Sequence, residues 1–167
     1  LRKIPVFLGN IIEFAGLCSG ALMILFLDSI PEFLRFFALI AAWFCFWYFS
    51  HCFAHFLAGK IFGIRFLYYF VGRSAITKLP QFRFLKIFPV LGIKVDVESF
   101  LAISSRDKFI FYASGAFASM FVPTVCLIPA AKLGTQTFLF VLLLCIGNII
   151  LTLYFSPRVG DLSRAKR

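Results

Sequence analysis

The chain has 167 residues, 62% of them apolar, with 25 Phe and a mean hydropathy of +0.97. A soluble domain of this size needs more polar surface than that, which excludes an ordinary water-soluble globular protein. The net charge of +10 does not indicate nucleic-acid binding, because the basic residues sit in the gaps between apolar runs, where they act as topology signals and headgroup contacts.

A helix needs about 20 apolar residues to cross roughly 30 Å of hydrocarbon. Four windows meet this requirement in chain order. The first covers 4–27 and is ended by Asp28 and Pro31; the second covers 36–58 and is closed by Gly59 and Lys60. The third covers 109–131, between Lys108 and Lys132, and the fourth covers 133–155, ended by Ser156-Pro157. The pattern predicts an all-α membrane protein forming one membrane domain over 1–167, with a basic tail at 156–167. The turn between the last two spans is short enough to make them an antiparallel hairpin. No internal repeat is visible.

The segment 59–107 between spans two and three is different. With the adjoining Lys108 it carries nine basic residues: Lys60, Arg65, Arg73, Lys78, Arg83, Lys86, Lys94, Arg106 and Lys108. Within it, Phe82-Arg83-Phe84-Leu85-Lys86-Ile87-Phe88 and Ile93-Lys94-Val95-Asp96-Val97 alternate roughly as half-buried strands do, and Gly92 offers a turn between them. A membrane-surface β-hairpin fits this pattern; so does an irregular loop with interfacial aromatics.

With four spans, the N-terminus, the middle segment and the C-terminal tail share one face. That face collects Arg2, Lys3, the nine residues above, Arg158, Arg164, Lys166 and Arg167, against Arg35 and Lys132 on the other. The positive-inside rule then places both termini on the cytoplasmic side, or on the matrix or stromal side of an organelle membrane. Three or five spans would destroy this asymmetry. The five cysteines, Cys18, Cys45, Cys52, Cys126 and Cys145, all lie in apolar runs without a CxxC pair and read as small hydrophobes.

Ionisable groups within a span are costly and are functional candidates by default. The only histidines, His51 and His55, lie near the basic end of span two. Their i, i+4 spacing stacks them on one helix face, where two imidazole nitrogens can converge on one metal ion. A hydrogen-bonded histidine pair at the membrane interface is the structural alternative. Haem is disfavoured, since axial ligands approach iron from opposite faces.

The stretch Ser50-His51-Cys52-Phe53-Ala54-His55-Phe56-Leu57-Ala58-Gly59-Lys60-Ile61-Phe62-Gly63-Ile64 resembles the first motif of the site-2 protease family of intramembrane zinc metalloproteases. That motif is H-E-x-x-H, followed by small, basic and Gly-hydrophobic positions ahead of a membrane-associated β segment; Ala58, Lys60 and Gly63-Ile64 fall where such residues are expected. Two further matches follow in order. Ala113-Ser114-Gly115-Ala116-Phe117-Ala118-Ser119 is similar to the family's A-G-P-x-x-N segment, with Ala116 in place of Pro and Ser119 in place of Asn. Asn148, followed by Ser156-Pro157-Arg158-Val159-Gly160-Asp161, looks like its N-x-x-P-x-x-x-L-D-G region, although Gly160 precedes Asp161 instead of following it. The resemblance implies zinc held by His51, His55 and Asp161, with Asn148 positioning substrate. The charge map, built without these motifs, puts all three ligands at the same membrane face.

The family's general base is the Glu after the first His, and here that position is Cys52. A thiol cannot readily replace a carboxylate, and near zinc it is expected to become a thiolate ligand and fill the open site. No other acidic residue is an obvious substitute; Glu13, in span one toward the basic face, is the one that could reach. The expected function is therefore a site-2-protease-like membrane protein of impaired catalysis, a scaffold among other membrane subunits. The alternative is an active zinc-dependent intramembrane protease. A transporter is disfavoured by the lack of repeated halves.

Overall fold

In the computed structural model, residues 3–73 and 89–165 are described. A short strand β1 (Lys3–Ile4) leads into α1 (Val6–Leu25). A 3-10 turn at Leu27–Ser29 and Pro31 connect it to α2 (Glu32–Ile61). Strands β2 (Phe66–Arg73) and β3 (Pro89–Val95) follow, then a short α3 (Val97–Ala102) and α4 (Ser105–Phe121). A 3-10 stretch at Val122–Cys126 joins α4 to α5 (Leu127–Leu133), and α6 (Thr135–Val159) and α7 (Asp161–Ala165) complete the chain.

Four helical runs are long and apolar enough to cross a membrane: Val6–Leu25, Glu32–Ile61, Ser105–Leu133 and Thr135–Ser163. Their outer faces are apolar, with Phe7, Leu25, Phe33 and Leu143 all more than two-thirds exposed. In water such surface would drive aggregation; in lipid it carries no cost. This is an integral membrane protein. The third run is not one continuous α-helix: Pro123 removes a backbone donor, and the chain tightens into a 3-10 stretch before α5. Gly134, with φ +119, makes the turn from α5 into α6 that a side chain would strain.

The helices pack in two storeys. Toward the end that carries Arg35 and Lys132 lies an apolar core of Leu39, Trp43, Phe46, Cys126, Ala130, Val141 and Cys145, in which Trp43 Nε1 donates to Cys145 Sγ at 3.3 Å. At the other end, α2, α4, the sheet and α7 meet around polar side chains.

Helix α2 stops in a Schellman turn: Ile64 N–H reaches Gly59 O at 2.7 Å, Gly63 N–H reaches Lys60 O at 3.3 Å, and Gly63 takes φ +78. That turn sends the chain directly into the sheet. The three strands are antiparallel in the order β1-β2-β3, so the N-terminal strand and the segment after α2 lie together at one membrane face. Ile93-Lys94-Val95, expected as a strand, lies in β3, and its antiparallel partner is β2. Gly92 is inside β3, opposite Phe70, and makes no turn; the Phe70 ring lies across it, filling the space a Cβ would take. Residues 82–88, expected as the partner strand, lie outside the described residues. Asp96 then caps α3, accepting from Ser99 N–H at 3.1 Å, and pairs with Arg65 at 2.8 Å. The Ser99 amide beside it, then the Arg65 guanidinium, holds the Asp96 carboxyl below its ordinary value.

Candidate metal centre

His51 and His55 project from one face of α2, their rings 4.9 Å apart and nearly perpendicular. Asp161 arrives from the far end of the chain. Helix α6 ends at Val159, and Gly160 turns back so tightly that a Cβ there would press on the backbone of Ser156. Ser156 Oγ accepts from Leu162 N–H at 3.2 Å and starts α7. The carboxylate is thereby folded back onto the histidines: Oδ2 lies 3.0 Å from His51 Nε2 and 3.4 Å from His55 Nε2. Gly160, which sits on the unexpected side of Asp161, is the residue that makes this return possible.

One ligand atom from each of the three residues lies within 4.8 Å of the other two, so the group can hold a metal ion. The hydrogen bonds behind the rings sharpen this. His55 Nδ1 lies 2.7 Å from the carbonyl of Phe111, which can only accept, so Nδ1 carries the hydrogen and Nε2 of the neutral ring is left with its lone pair. His51 Nδ1 faces Ser119 Oγ at 3.5 Å, and that hydroxyl donates to the Gly115 or Ala116 carbonyl, at 3.0 and 3.1 Å. When both rings carry their hydrogen on Nδ1, both Nε2 atoms and the carboxylate oxygen present lone pairs to one small space; with the hydrogen on Nε2, His51 donates to Asp161 instead. In the first case the three repel one another unless a proton or a cation stands among them. Outer partners that orient the rings in this way are the usual support of a metal-binding histidine. Two imidazoles and a carboxylate are donors of the kind that metal ions take in proteins.

The rest of the site is built by α4. Gly115 lies under the His55 ring, where any side chain would overlap Nε2. His55 is almost fully buried, whereas the His51 side chain is 34% exposed and forms the open side of the centre. Asn148 does not join the ligands: its amide donates to Ser119 O at 2.7 Å, tying α6 to the turn of α4 that supports His51. Cys52 does not join them either. Its thiol is buried and donates to Leu91 O of β3 at 2.9 Å, away from the lone pairs that face Asp161. The expectation that it would fill the open site as a thiolate is therefore not met by this geometry.

Among the described residues one carboxylic acid is fully enclosed, that of Glu13. It is fully buried on α1, and neither carboxyl oxygen has a hydrogen-bond partner among the described residues. Its spacing from Gly9, Gly16 and Gly20 on one helix face was the available signal. Burial pushes the neighbouring Tyr69 phenol up, so it remains a donor, here to Asn10 Oδ1 at 2.8 Å.

No family model matches the chain, no curated protein matches it, and no solved structure matches it. The reading of the centre rests on its own residues.

Proposed function

We propose that this chain is a zinc-dependent intramembrane peptidase of site-2-protease type, acting on membrane-embedded peptides from the basic face of the bilayer. The observation that carries this reading is the convergence of His51 Nε2, His55 Nε2 and Asp161 within 4.8 Å, a three-ligand group of the kind that leaves one position for reactant. Zinc held there would polarise a scissile carbonyl and acidify water. The protein's own part is to hold both rings by their Nδ1 atoms, to keep Cys52 turned toward Leu91, and to admit water on the exposed side of His51. Ser119, fastened by Asn148, sets the rotation of His51.

A second reading, a protease-like scaffold that assembles with other membrane subunits, is favoured by one observation: the helix that carries the two histidines offers a thiol and no carboxylate at position 52. Metal analysis of the purified chain separates the readings. The peptidase reading expects one equivalent of zinc, lost on His55→Ala, and cleavage of an apolar helical peptide that requires the metal. Zinc-free protein that copurifies with other membrane chains supports the scaffold.

A further inference from the structure

Hydrolysis at a metal also requires a group that takes a proton from water and returns it to the leaving nitrogen. Resting on the zinc-peptidase reading, we propose that Glu13, on the neighbouring helix α1, is that group.

Helix α1 turns four buried residues toward the protein: Gly9, Glu13, Gly16 and Gly20. Three are glycines because α2 and the sheet come too close for a side chain. A Cβ on Gly9 would enter the Tyr69 ring, one on Gly16 would enter the Phe49 ring, and one on Gly20 would press on Cys45. The fourth is a carboxylic acid held between the Tyr69 and Phe49 contacts. It is 0% exposed, and both its oxygens are without a hydrogen-bond partner among the described residues. An apolar residue would satisfy this packing without the penalty of an unpartnered polar group in hydrocarbon. Packing alone therefore does not account for a carboxyl here.

Its surroundings point toward the metal ligands. Gly20 against Cys45 and Gly16 against Phe49 run α1 antiparallel along α2, so Glu13, one turn before Gly16, comes level with Cys52, the neighbour of His51. The thiol of Cys52 and the phenol of Tyr69 already donate elsewhere, to Leu91 O and Asn10 Oδ1. Glu13 thus approaches α2 at the position next to His51, where the side chain is small. A proton from the attacking water moves to a Glu13 oxygen as the water oxygen bonds to the scissile carbonyl carbon. The same proton passes to the peptide nitrogen as the C–N bond breaks, which leaves an acid and an amine and returns Glu13 to its starting state.

The test uses the full chain in detergent, loaded with zinc or with Co2+, as wild type, Glu13→Gln, Glu13→Asp and the double variant Glu13→Gln/Cys52→Glu. The probe is a synthetic single-helix apolar peptide with a fluorophore–quencher pair. Glu13→Gln is expected to keep one equivalent of metal and to lose peptidase activity by about 10²- to 10⁴-fold, with recovery in the double variant. The pH midpoint of the Co2+ spectrum is expected to move by about one unit or more in Glu13→Gln, and less in Glu13→Asp, because coupled groups titrate together. That spectral shift needs no substrate, and a carboxyl remote from the metal would not produce it. An unchanged midpoint, or cleavage by Glu13→Gln within about twofold of wild type, overturns the role of Glu13 while leaving the metal centre in place. So does zinc-loaded wild type that cleaves only after Cys52→Glu. Failure to take up any metal overturns the peptidase reading itself, and the proposal with it.

Discussion

Gly115 lies flat against the imidazole of His55, with no room for even a methyl group between α4 and Nε2. The small-residue run of α4 is thus part of how the centre is shaped, since it lets the buried histidine face Asp161 while its Nδ1 bonds Phe111 O.

Gly115→Ala is expected to push the ring off this position and to weaken zinc binding by about 10- to 100-fold, as loss of an orienting contact does. Gly147→Ala serves as the control, because nothing lies within 4 Å of a Cβ at that position. Competition titration with a zinc-sensing dye measures both variants.

Glu13→Leu is expected to raise thermal stability, by about 1–3 kcal/mol, since it removes a buried carboxyl without partners among the described residues. Unfolding of the detergent-solubilised chain tests this. A loss of stability would mean that the carboxyl supports the fold.

Asn148→Leu removes the 2.7 Å hydrogen bond to Ser119 O and is expected to cost about 1 kcal/mol, in keeping with interhelical hydrogen bonds in membranes. Zinc stoichiometry is expected to remain at one equivalent, since the amide bonds backbone behind the ligands. Metal analysis alongside the melt checks both parts.

The clamp between Arg65 and Asp96 predicts a pH dependence at the membrane surface. The folded carboxyl titrates below its unfolded value, so its contribution is present at neutral pH, persists above the ordinary carboxylate range, and is lost as pH falls through the depressed value. The hydrogen-exchange protection of residues 97–102, taken relative to the intrinsic rate at each pH, is expected to fall in acid. Asp96→Ala should show the lower protection already at neutral pH, and a flattened pH response.

Topology can be read directly by labelling with a membrane-impermeant maleimide. Ser29→Cys, in the turn after α1, and Ser104→Cys, before α4, are exposed at opposite ends of the bundle. In sealed membranes Ser104→Cys is expected to react from the cytoplasmic, matrix or stromal side and Ser29→Cys from the opposite side. The reverse pattern would put the basic face outside.

Much of this was visible in the chain itself. Hydropathy located all four crossing runs, and the positions of Lys60, Lys108 and Arg158 against Arg35 and Lys132 paired their ends. The i, i+4 spacing put His51 and His55 on one face because a helix repeats every 3.6 residues. The strand pairing was less legible. Alternation marks a segment as strand-like but does not choose its partner, and the Phe70 ring that lies across Gly92 comes from a strand more than 20 residues away.

The sequence by itself determined that the protein resides in a bilayer, how often it crosses, and that two imidazoles share one face, since these follow from the hydropathy and spacing of neighbouring residues. Only the tertiary structure decided that Asp161, 110 positions after His51, closes on both rings, that Cys52 turns to Leu91, and that Glu13 is fully buried. Those relations depend on how closely separate helices approach, and that distance is set by packing between segments far apart in the chain.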